Sequence, residues 1–135
     1  MEILSLGQKI KKLRKEKNLT LKELAGNRIT AAQISHIERD KSYPSQDLLE
    51  YFSEKLETPI DYFLESKEAQ AKKIASSIIL KSEVLFKTEK YQEAKRELSK
   101  ILNLCTYYDI SHECAKANFI YGLVYLVEKE YKKAT

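Results

Sequence analysis

Two short threonine-capped segments with a four-residue break between them constrain this chain more than any other feature. Thr20-Leu21-Lys22-Glu23 has the form of a capping box. The Thr20 hydroxyl accepts from the amide of Glu23, and the Glu23 carboxylate reaches back to the amide of Thr20. That predicts a short helix from Leu21 to Gly26, with Leu24 and Ala25 inward. Gly26-Asn27-Arg28-Ile29 is a tight break, and Thr30 caps the next helix, Ala31 to Arg39, whose buried side carries Ile34 and Ile37. Leu6, Ile10 and Leu13 recur at helical spacing ahead of this pair, predicting a helix from Leu6 to Lys17 that ends at Asn18. Behind it, Ser45 caps a helix carrying Leu48, Leu49, Phe52 and Leu56 inward. Thr58-Pro59 opens a fifth helix, Pro59 to Leu64, with Pro at the first helical position. Only three Gly and two Pro occur in 135 residues, which suits an all-α chain better than a sheet with its many turns.

From Ser66 the pattern lengthens. One helical stretch runs to about Thr88, with Ile74, Ile78, Val84 and Leu85 among its apolar positions. Another runs from Tyr91 to Leu104, and after a polar break at Tyr107–Ser111 a third runs from His112 to about Glu128. Tyr91-Gln92-Glu93-Ala94 and Tyr131-Lys132-Lys133-Ala134 share a Y-x-x-A pattern forty residues apart, each after a charged turn. A helix pair repeated at that period is the sequence form of a solenoid. The expected organisation is a domain at 1–65 and a partial repeat region at 66–135. A solenoid needs about three repeats, and one and a half are present. The expectation is therefore a part of a longer protein or, failing that, a half that pairs with another copy.

Charge separates along the chain. Residues 1–45 hold ten Lys/Arg against five Asp/Glu, and residues 46–65 hold one Lys against six acids. The first segment suits a phosphate-facing surface and the second a face turned away from it. No apolar run reaches membrane-span length, and the first residues lack a signal peptide, so a cytoplasmic protein without a membrane partner is expected. In that compartment Cys105 and Cys114 are expected to be reduced thiols packing around an interhelical loop. Their spacing about His112 matches no common zinc pattern and lacks a fourth ligand, so neither metal nor cofactor is expected. No nucleophile–base constellation or glycine-rich phosphate loop is present, which argues against an enzyme.

Gly7-Gln8-Lys9-Ile10-Lys11-Lys12-Leu13-Arg14, Leu19 to Ala25, Ile34 to Lys41 and Pro44-Ser45 together resemble the five-helix DNA-binding domain of the lambda-repressor-like (XRE or Cro/CI) family. That resemblance implies double-stranded DNA as partner and a recognition helix in the major groove. Ala31, Ala32, Gln33 and His36 would meet base edges. Gln33 would pair with adenine, and the alanines would touch thymine methyls. Thr30, Arg39, Lys41, Lys9 and Lys22 would contact phosphates. Arg14 and Glu38 correspond to a family ion pair that serves the fold. Two departures stand out. The turn between Ala25 and Ile34 is one residue shorter than the commonest form, and Leu21 stands where many members place a phosphate-contacting Gln.

The stretch from about Ala75 resembles tetratricopeptide repeats. Ala115, Gly122, Tyr125, Tyr131 and Ala134 fall at its small or aromatic positions, and Ser82, Leu85, Tyr91, Ala94 and Leu98 in a more degenerate first unit. A lambda-repressor-like domain followed by such repeats is similar to the Rgg/PlcR/PrgX group of quorum-sensing regulators. The likeness implies a transcriptional regulator that acts as a homodimer under a peptide or protein ligand held on the repeats, where Asn118 and Tyr121 could face a groove. The competing expectation is a protein-interaction adaptor that keeps the N-terminal bundle only as scaffold.

Overall fold

The computed structural model describes residues 2–134, apart from the side chain of Ala134. All regular structure among them is helical: α1 (Leu6–Glu16), α2 (Leu21–Ala25), α3 (Ala31–Glu38), α4 (Gln46–Lys55), α5 (Ile60–Leu64), α6 (Lys67–Lys87), α7 (Tyr91–Tyr107) and α8 (Ser111–Ala134). These helices form two compact units, Glu2–Ser66 and the chain from Lys67 onward.

In the first unit every one of α1 to α4 starts on a hydroxyl cap. Ser5, Thr20, Thr30 and Ser45 each accept from the amide three residues on. Three of these are full capping boxes, closed by Gln8, Glu23 and Gln33. The fifth helix differs slightly from expectation, because Pro59 is its N-cap rather than its first helical residue. Asn18, Asp40 and Glu57 then take left-handed backbone conformations that end α1, α3 and α4. In each case the next amide closes a six-residue ring, as from Lys41 to the His36 carbonyl at 2.9 Å. This is the Schellman geometry that satisfies orphan carbonyls. The helices enclose one core of Ile10, Leu24, Ala25, Ile34, Ile37, Leu49, Phe52, Leu56 and Phe63.

Gly7 sets how closely α1 approaches the end of α3. A Cβ there would overlap the carbonyl oxygen of Ile37 and lie 2.8 Å from that of Glu38. Both are backbone atoms and cannot swing aside. Asp40 locks the contact by accepting from the Gly7 amide at 3.0 Å and from the Ser5 hydroxyl at 2.5 Å.

In the second unit α7 packs between α6 and α8, and α6 also touches α8. Small buried residues, Ala71, Ala75 and Ser82 on α6 and Ala94 on α7, keep the helices close. Glu89, left-handed, forms the turn between α6 and α7. Several expectations need correction here. Val84 is 61% exposed rather than inward. The α7 helix runs three residues past Leu104, to Tyr107. The helix after it does not stop at Glu128 but continues to Ala134. Residues 128–130 make no turn because none of them adopts the left-handed conformation that Glu89 takes. Glu128 instead binds Lys132 one turn on at 3.1 Å, which supports a continuing helix. As a result the small position Gly122 faces open space and Ala115 is exposed, while Ala117 and Val124 are the buried apolar residues of α8. The side chain of Ala134, the last small residue of the repeat pattern, lies outside the described residues.

The cysteines are also not free thiols. A disulfide joins Cys105, near the end of α7, to Cys114, in the first turns of α8, with Cα atoms 6.1 Å apart. The extension of α7 and the short connection bring the two backbones within bridging range.

Replacing Gly7 by Ala should destabilise the first unit by about 1–3 kcal/mol through overpacking, measurable as a lowered urea midpoint. Acid should loosen α7 from α8. Glu128, buried, accepts from Gln92 and pairs with Lys95 and Lys132, and the two lysines hold its carboxyl below its ordinary value of 4.5. A depressed carboxylate stabilises the fold above its unfolded pKa, so this contribution is full above about pH 4.5 and is lost as pH falls further. A Glu128→Gln variant should show a flatter loss of thermal stability across that acid range.

Candidate nucleic-acid interface

The exposed side of α3 lies at the end of a series of restraints. Arg14 on α1 is the central one. Its Nε and Nη2 donate to the two oxygens of Glu38 at 2.6 and 3.0 Å, and its Nη1 donates to the Leu19 carbonyl at 2.8 Å. The side chains are 11% and 5% exposed. Hydrogen bonding to Glu38 raises the Arg14 pKa above its ordinary value against the opposing effect of burial. One guanidinium thus joins α1, the entry to α2 and the last turn of α3. Tyr51 on α4 adds a further tie, its hydroxyl donating to the Leu24 carbonyl at 2.6 Å while the Arg28 guanidinium stacks 5.3 Å from its ring.

Held this way, α3 buries Ile34 and Ile37 and turns Ala32, Gln33 and His36 to solvent, with Ala31 half-buried at its start. Thr30, Arg39 and Lys41 are exposed at its two ends, and Lys22 is exposed on α2. Arg39 caps α3 and folds its Nε back to the Ser35 carbonyl at 3.3 Å. Gln33 does more than stand on the surface. Its Oε1 accepts from the Thr30 amide at 2.9 Å and from the Thr30 hydroxyl at 3.3 Å. The residue expected to read a base is therefore part of the cap that starts the helix.

Lys9 does not belong to this surface. It is 1% exposed, and its Nζ donates to the carbonyls of Tyr62 and Glu65 at 2.6 and 2.8 Å, 4.9 Å from the Tyr62 ring centroid. The orphan carbonyls and negative dipole end of α5 hold the ammonium there. A phosphate contact is excluded by this burial, and Lys9 is an internal tie between α1 and α5. Its position three residues after Leu6 carried the signal, since that spacing shares the inner edge of a helix. The Asp40–Gly7 contact had no such signal, because it spans 33 residues.

The first unit is a helix-turn-helix domain: residues 7–68 match the family model of that description. Among solved structures, Bacillus thuringiensis PlcR, in complex with the peptide PapR7 and DNA, is similar to this chain with a TM-score of 0.58 and 28% identity. The match covers 93% of this chain and 44% of that one, so this chain spans less than half the length of PlcR. No curated protein matches. The resemblance to a lambda-repressor-like domain followed by PlcR-like helices is borne out, as is the all-α class. Among the described residues no helix is long and apolar enough to cross a membrane.

Truncating either partner of the Arg14–Glu38 pair should cost about 3–5 kcal/mol, because each change leaves the other charge buried and unpaired. Chemical denaturation of Arg14→Ala, Glu38→Ala and the double variant should show the double costing much less than the sum of the singles.

Proposed function

We propose that this chain is a sequence-specific transcriptional regulator that binds DNA through α3 as a dimer and responds to a peptide held on α6 to α8. The carrying observation is the surface of α3, a helix fixed from behind by Arg14 whose free side offers only short or neutral groups between Thr30 at one end and Arg39 and Lys41 at the other. Similarity to a protein solved with both peptide and DNA supports the same reading. Major-groove entry by such a helix allows Ala32 and the edge of Ala31 to meet thymine methyls, and His36 and Gln33 to hydrogen-bond. Bidentate pairing of Gln33 with adenine uses its Oε1, which already accepts from Thr30. Base reading therefore exchanges an intrahelical cap for an intermolecular bond. Lys41, Arg39, Lys22 and Thr30 supply phosphate contacts. A peptide preferring one arrangement of the dimer shifts the population able to hold two half-sites.

The plainness of Ala31 and Ala32 favours one competing reading, an adaptor in which the helical bundle is scaffold. Gel-shift titration against random-pool DNA separates the two, and absence of binding at low salt would favour the adaptor. For a regulator, the selected sites should be inverted repeats with half-sites roughly 34 Å apart or a multiple of it. Lys41→Ala should weaken all sites alike and reduce the salt slope by about 1, and Gln33→Ala should cost about 1–3 kcal/mol at one base position. Lys9→Met should lower thermal stability and leave the slope unchanged. A slope change for Lys9→Met equal to that for Lys41→Ala would overturn these roles.

A further inference from the structure

A cleft of about 360 Å³ opens between α6 and α8, walled by Ile79, Leu80 and Glu83 on one side and His112, Glu113 and Lys116 on the other. Ile79 is buried, whereas Leu80 is 65% exposed at the rim. One carboxylate oxygen of Glu113 is shielded from solvent and has no hydrogen-bond partner. No ion pair joins it to Lys116 or His112 among the described residues. A buried acceptor left unpaired costs about 1–3 kcal/mol, and more when charged, so such a group calls for an explanation. The first turn of α8 offsets part of that cost through its dipole but supplies no donor to this oxygen.

We propose that the cleft binds a cationic group, an ammonium or guanidinium, on a ligand that also carries a large apolar side chain. The proposal rests on the peptide-controlled reading above and names the chemistry of its ligand. The cation donates to the free oxygen of Glu113, with Glu83 as a second carboxylate on the facing wall. One lysine against two carboxylates leaves the cleft acidic, and Lys116 favours a single cation over a string of them. The apolar side chain rests on Leu80. Helical spacing continues that surface past the cleft, through Val84 four residues along α6 and Phe119 three residues beyond Lys116. Both are exposed, at 61% and 68%. A polar pocket that opens onto an apolar strip fits a short peptide with a lysine, arginine or free N-terminus beside a leucine or phenylalanine.

The test titrates the full chain with two capped tripeptide amides, acetyl-Lys-Leu-Phe and its 2-aminoheptanoic acid counterpart, which replaces the ammonium by a methyl group of the same reach. Nuclear magnetic resonance shifts report where and how tightly each binds. The expected result is shifts centred on residues 79–83 and 112–116, with the lysine peptide bound at least ~10-fold more tightly, a factor of ten being one decade in Kd. Glu113→Gln, which keeps shape and removes charge, should abolish that preference. Equal binding of the two peptides, a preference that survives in Glu113→Gln, or no binding of either at millimolar concentration would overturn the proposal. A gel shift with the lysine peptide added reads the control separately: binding in the titration that leaves DNA affinity unchanged supports the cleft and overturns only the control reading.

Discussion

The buried Arg14–Glu38 pair is the interaction on which the helix-turn-helix unit depends. A helix of eight residues such as α3 buries too little surface to hold its own orientation. Its apolar contacts, Ile34 and Ile37, fix which side faces inward but leave its tilt and axial position adjustable. A bidentate guanidinium–carboxylate bond fixes both, because its planar geometry tolerates little rotation. The third guanidinium bond, to the Leu19 carbonyl, carries the restraint to the start of α2. The Asp40–Gly7 contact then clamps the other edge of the same joint. Two polar contacts thus convert a loosely packed short helix into a rigid one.

Polar groups here are used for folding before they are available for recognition. Lys9 stands in a basic run and reads as a phosphate ligand, yet the end of α5 takes its charge. Gln33 stands on the exposed side of α3, yet Thr30 takes its carbonyl oxygen. Both follow from the same need. Short helices expose a large fraction of their backbone donors and acceptors at their ends, and nearby side chains satisfy them. In a bundle of five short helices many of the polar residues have such structural duties, and the surface left for DNA is correspondingly plain.

In the second unit, small buried residues at the repeat positions fit where a helix lies across them. Ser82 and Ala94 are fully buried between α6 and α7. The counterpart of Ser82, Gly122, sits on an uncovered face of α8, because that helix runs straight where α6 turns at Glu89. The same straight run leaves Phe119 and Leu126 largely exposed. At the far end of this helix the bonds of Glu128 to Lys95 and Gln92 join the edge-to-face contact of Tyr131 with Tyr91 in securing it.

The helices, their starts and the class of the first unit were legible in the residues themselves, since caps, apolar spacing and short breaks are local properties of the chain. S-x-x-Q at Ser5 and T-x-x-Q at Thr30 spell complete capping boxes as plainly as Thr20 does. The ends were harder. Asp40, Glu57 and Glu89 take a conformation that glycine usually marks, so nothing in their identity announced it. The duty of Lys9, the joining of Cys105 to Cys114 and the uncovering of Gly122 were settled only by tertiary structure. Each depends on which atom of another helix lies within about 3 Å, a distance that no spacing along a single helix encodes.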